Sequence, residues 1–125
     1  MNILKTALKL FCGLVLVSVA TISSAHHGWS WYGAEPFELT ATVTDKQFGN
    51  PHDRLTLMDA DGNEWDVLLS PPGRSRRAGL TGTEVEVGDS VTAFGHRRSE
   101  GNNFEMKTER LQVGDNLYNL YPNRS

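Results

Sequence analysis

From Phe37 to Phe48 the chain reads "FELTATVTDKQF", with Phe37, Leu39, Ala41 and Val43 alternating against Glu38, Thr40, Thr42 and Thr44. A two-residue period places each set on one face of an extended strand, whereas a helix needs apolar residues about every 3.6 positions. This segment therefore commits the chain to a sheet with one buried face. "RLTLMD" and "EWDVLL" are two further strands, joined through Asp59-Ala60-Asp61-Gly62-Asn63, where Asp-Gly favours a tight hairpin. Pro71 and Pro72 stop the third strand, and "RSRRAGL" has room for one or two helical turns before Gly79 or Gly82. A turn at Gly88-Asp89 leads into a fourth strand, Ser90 to Arg97. After "SEGNN" a fifth runs through "FEMKTERLQV" with poorer alternation, and the turn "GDN" leads to "LYNLY". Five strands with a short helical insert between the third and fourth is the order of a small OB-like barrel. The fold class is all-β, and an SH3-like barrel or an open sandwich shares the pattern.

The amino end is of another kind. Lys5 and Lys9 accompany an apolar stretch, "LKLFCGLVLVSVA", that falls short of the roughly 20 residues of a membrane span. Followed by the small residues of "TISSA", it reads as a signal peptide over residues 1–25, cut after Ala25, with a cut after Ala20 as the alternative. Cleavage leaves residues 26–125 as one domain. It removes Lys5, Lys9 and Cys12, so the formal charge goes from −3 to −5 and no cysteine remains. The expected location is the periplasm or the exterior, where the domain must hold together without a disulfide. An acidic domain lacks the basic face on which nucleic-acid affinity rests. The expected partners are an envelope protein or a small ligand, with no membrane span after cleavage.

The same cut makes His26 the first residue, in "HHGWSWY". Its free amine and imidazole can then bind one metal ion together, and the amine, with an ordinary pKa near ~8, gives up its proton at modest cost. A second imidazole would complete the three-nitrogen arrangement called a histidine brace, which suits copper because copper(II) favours tetragonal nitrogen donors. His52 in "GNPH" and His96 in "FGHRR" are the candidates, with His27 a further one. None has the local ligand spacing of a preformed site, so the fold must assemble it from separate segments. The plainer alternative is a solvated His27, an outward His96 and a His52 that serves its own loop.

Trp29 and Trp31 lie two apart and face one way if the segment is extended. With Tyr32, and with Trp65, they form either a platform for a sugar ring or other planar ligand, or an apolar plug that pins the amino end to the barrel. Arg74, Arg76 and Arg77 in "GRSRRAGL" offer guanidinium forks to a phosphate, sulfate or anionic lipid head at a helix start, unless they are a solvated loop paired with acids. "DADGNEWD" lacks the spacing of a calcium loop, since Gly62 is the fourth residue from Asp59 rather than the sixth. No nucleophile motif or phosphate-binding loop is present, and the acids fall mainly on presumed outer faces. A binding role therefore precedes an enzymatic one. The two readings are a copper or similar transition-metal binder, and a protein, glycan or anionic-ligand interaction module, the latter inseparable from a structural accessory to a membrane complex.

"AHHGWSWYGAEPFELTATV", "FGNPHDRL", "PPGRSRRAGL", "VGDSVTAFGHR" and "LYNLYP" together resemble an uncharacterised family of small exported bacterial proteins known as a domain of unknown function. The resemblance covers essentially all of residues 26–125 and implies an exported small β-domain, with no activity attached.

Overall fold

The computed structural model describes residues 28–101 and 104–124. Residues 1–25, read above as a signal peptide, and His26 and His27 lie outside them. The strands are β1 (Phe37–Gln47), β2 (Arg54–Met58), β3 (Glu64–Leu68), β4 (Ser90–Arg97), β5 (Glu105–Val113) and β6 (Asn116–Asn119), with one helix, α1 (Pro72–Arg77), between β3 and β4. The sheet order is β3-β2-β1-β4-β5-β6, and β3 also pairs with β5 in parallel through Asp66 to Leu68 against Glu105 to Lys107. That pairing closes β1 to β5 into a five-stranded, OB-like barrel.

The alternation of β1 is realised as expected. Leu39, Ala41 and Val43 are buried while Glu38, Thr40, Thr42 and Thr44 face water. They meet Leu55 and Leu57, Trp65 and Val67, Val91 and Ala93 from the neighbouring strands in one apolar core. The β2–β3 hairpin is built around Asp59. Its Oδ1 accepts the Asp61 and Asn63 amides at 3.0 and 2.8 Å, and Gly62 takes the positive φ of 83° that the turn requires. The helix begins at Pro72 and ends before Gly79, whose φ of 92° lets the Leu80 amide reach the Ser75 carbonyl at 2.9 Å and sends Leu80 into the core.

Two features depart from the sequence reading. "LYNLY" contributes a sixth strand, because Gly114 at φ 58° closes a two-residue turn that pairs Val113 with Asn116. The second concerns the acids of β5, which are buried, with Glu105 and Glu109 under 10% exposed. Their alternation is weak because β5 is covered on its outer face as well, where the amino-terminal segment and the stretch Leu120–Tyr121 lie over it.

The loops make acid stability predictable. The Trp65 Nε1–H at 2.9 Å, with the amide and side chain of Asn63, holds the Asp59 carboxyl below its ordinary pKa. For Glu84, burial pushes upward, but the Thr81 hydroxyl and the Thr81 and Gly82 amides outweigh it and bring the pKa to about 2. A depressed carboxyl stabilises the fold above its unfolded pKa and loses that contribution as pH falls through the folded one. Stability should therefore decline from about pH 5 towards about pH 2, and the decline should be shallower in Asp59→Asn and Glu84→Gln. Asp66, raised by burial, works in the opposite direction. Thermal melts of the three proteins across that range are the check.

Candidate functional site

The chain approaches the barrel through a turn rather than an extended run. The Tyr32 amide donates to the Trp29 carbonyl at 3.0 Å, after which the Gly33 amide joins the Arg97 carbonyl at 2.8 Å and Trp31 accepts from the Ser99 amide at 3.0 Å. The turn parts the tryptophans. Trp29 packs edge-on against His96 and Tyr121, with ring centroids 5.8 and 5.0 Å away. Trp31 is 48% exposed beneath the Arg98 guanidinium, and Trp65 is buried in the core, stacked on Phe37. Trp29 and Trp31 thus do not face one way, because a turn rather than a strand carries them, and the three tryptophans form no common platform. Tyr32 donates its hydroxyl to Glu105 Oε2 at 2.8 Å, beside Arg98 Nη1 at 3.0 Å. Burial and this carboxylate raise the Tyr32 pKa and keep the phenol protonated.

The wall behind Trp29 comes from a bulge. Between Phe94–Arg110 and Gly95–Thr108 the β4–β5 register slips by one residue, which leaves Glu109 without a partner on β4. The freed residue works in both directions. Its carbonyl accepts the Leu120 and Tyr121 amides at 2.8 and 3.2 Å, and its Oε1 meets His96 Nε2 at 2.9 Å and Arg124 Nε at 3.5 Å. His96 Nδ1 lies 2.9 Å from the Gly33 carbonyl. Both ring nitrogens of His96 thus face oxygen acceptors, and a metal would have to displace one of them.

Lys107 stands at the centre of the patch. It is the cross-strand partner of His96, its Nζ donates to the Gly28 carbonyl at 3.1 Å, and the Trp29 ring lies 4.7 Å away. Burial, then the Arg124 charge, lowers its pKa. In the loop before β2, burial first and then the charges of Lys107 and Arg54 lower the His52 pKa, against Asp53. Two described stretches meet at Lys107 directly, the Gly28–Trp29 turn and the end of β4. His96 pairs with Lys107 across the strands, and Gly28, the residue directly after His27, is bonded to it. Among the described residues no three His, Cys, Asp or Glu side chains gather into a metal-holding group.

The arginines sit elsewhere. Arg74, Arg76 and Arg77 belong to the last turn of α1, where they complement the carbonyl end of the helix. The helix start expected to hold an anion is Pro71-Pro72, and proline has no amide hydrogen to donate. Arg74 covers the Tyr121 ring at 4.6 Å, while Arg76 and Arg77 are exposed. Sequence reasoning missed Lys107, Glu105 and Glu109. The broken alternation of "FEMKTERLQV" was their signal.

A family model described as "Family of unknown function (DUF6152)" matches residues 14–108. No curated protein matches the sequence. Among solved structures the chain is similar to one in the S. pombe Stn1-ten1 complex, with a TM-score of 0.51 and 17% identity over 65% of this chain and 59% of that one. It is similar also to asparaginyl-tRNA synthetase from Pyrococcus horikoshii complexed with asparaginyl-adenylate, at 0.51 and 15% over 68% of this chain and 20% of that one. The chain thus spans less than two thirds of either. Both neighbours carry the OB fold, and at such identities the likeness concerns the fold alone. No helix of the described residues is long and apolar enough to cross a membrane.

Proposed function

The chain belongs to the DUF6152 family, whose function is unknown, and from its own residues we propose that it is an exported domain that binds copper or a similar transition metal at its mature amino end. Under this reading the signal peptide is removed after Ala25 and the protein works in the periplasm or outside the cell. The amine and imidazole of His26 chelate the ion, and His52 adds a third nitrogen, with His27 and His96 as further donors.

One observation carries the reading. Gly28 is fixed on Lys107 and Trp29 is clamped by His96, Tyr121 and Arg124, so His26 starts no more than about 7 Å of chain from a fixed point, and the Lys107 charge that marks this point also acts on His52. Such anchoring supports a metal site because it removes much of the ordering entropy that a free terminus would lose on binding. The lowered His52 pKa favours the neutral imidazole, which is the form a metal takes up. The Lys107 ammonium, held by the Gly28 carbonyl and the Trp29 ring, opposes a cation.

Copper titration of the mature protein is the test. His52→Ala should weaken binding by about tenfold or more, about 1.4 kcal/mol, while a surface substitution such as Thr40→Ala leaves it unchanged. Equal affinity in the His52→Ala protein would remove the fold from the site.

The second reading is an interaction module for a protein, glycan or anionic ligand. It is favoured by Trp31, half-exposed under Arg98, with Arg74, Arg76 and Arg77 as further contacts. It predicts a silent copper titration and loss of a bound envelope partner in Trp31→Ala.

A further inference from the structure

A cleft of about 530 Å³ opens beside the bulge, lined by Pro36, Phe37, Glu38, Phe94, Arg110 and Arg124 among others. Its size lies within the roughly 300–1,000 Å³ of small-molecule sites. Arg110 distinguishes it. The guanidinium lies over the Phe94 ring at 4.9 Å, and its Nε is buried with no hydrogen-bond partner among the described residues. Neither acid of the cleft forms an ion pair with Arg110 among the described residues. Glu109 is taken by His96 and Arg124, and Glu38 lines the same cleft from the outer face of β1, in register with Phe94.

A buried donor left unpaired is costly, and a chain with more acids than bases has had ample means to pair it. An arginine stacked on an aromatic ring, beside apolar residues and without an ion pair among the described residues, is suited to a carboxylate carried on a flat apolar body. Glu38 and Glu109 set the charge limit. Their negative field disfavours a dianion such as phosphate, so the matching ligand is a monoanion.

We propose that this cleft binds a small aromatic or similarly flat monocarboxylate, its carboxylate on the Arg110 guanidinium and its body against Phe37 and Phe94. His96 lines this cleft as well, but the proposal stands without the metal reading, since neither Arg110 nor Phe94 is among the proposed metal donors.

The test is an NMR titration of the full mature domain with sodium benzoate, observing the Arg110 Nε–H and the Phe94 ring. A saturable shift of both is expected, with affinity reduced about tenfold or more in Arg110→Gln, as for loss of a charge-assisted pair. Benzamide, which keeps the ring but not the charge, and inorganic phosphate, which keeps a charge but has no ring, should give no saturable shift at the same concentrations. Arg110→Lys, which keeps the charge and loses the flat fork, should fall between wild type and Arg110→Gln, and it serves if the glutamine variant fails to fold. Absence of a saturable benzoate shift, equal response to benzamide or phosphate, or unchanged affinity in both Arg110 variants would overturn the proposal.

Discussion

Gly95→Ala is expected to be among the most damaging single changes in the domain, costing about 3 kcal/mol and lowering the melting temperature by roughly 10–25 °C. A Cβ at this position would collide with the Lys107 carbonyl oxygen and come within 2.9 Å of the carbonyl carbon and of the Thr108 Cα. All three are backbone atoms of the adjoining strand, so no side chain can turn aside to make room. The position also matters for the site. Gly95 is where the β4–β5 register slips, and that slip releases Glu109 to reach His96, Arg124 and the Leu120–Tyr121 amides. Gly62→Ala is the matched control. Its φ of 83° strains an alanine, but nothing lies within 4 Å of the added carbon, so the cost should be about 1–2 kcal/mol. Chemical denaturation of the two variants would show whether the gap exists, and comparable losses would mean that β5 can move away from β4.

The second large effect concerns copper. Acetylating the mature amino terminus at about pH 6.5, where lysines remain protonated and the α-amine is partly free, should lower copper affinity by about two orders of magnitude, about 2.8 kcal/mol. His26→Gln should cost about as much. Each change opens the same chelate ring, one by removing the amine lone pair and the other by removing the imidazole. Because the metal displaces a proton from the amine, wild-type affinity should rise with pH up to about 8 and then level off. The acetylated protein should lose most of that dependence. Isothermal titration in two buffers of different ionisation enthalpy would count the protons released. If neither modification changes affinity or proton release, the bound copper does not use the terminus.

The barrel was largely legible because its cause is local. The alternation of β1, the Asp-Gly hairpin, the prolines before α1 and the exact span of β4 all follow from side-chain period and turn chemistry, which neighbouring residues determine. β6 was obscured because a four-residue strand, Asn-Leu-Tyr-Asn, has too few residues to display a period. The site was legible only in part. His52 and His96 stand out as residue types, and Trp29 could be assigned to an anchor on its size. Lys107 and Glu109 could not, since what buries them is a register slip and two distant chain segments folded over β5. A strand covered on both faces carries no clean alternation, so the charges of "FEMKTERLQV" read as surface. The separation of Trp29 from Trp31 was hidden similarly, because one amide-to-carbonyl bond at Tyr32 turns a presumed strand into a bend.

The central claim is that this domain starts at His26 and holds a metal there. The intact mass of the protein purified from a periplasm with its own signal sequence, measured under native conditions after exposure to one equivalent of copper, addresses both parts at once. The account predicts the mass of residues 26–125 with one copper ion, and loss of that ion in His26→Gln. A chain beginning at Thr21, or a chain beginning at His26 that remains metal-free, would contradict it.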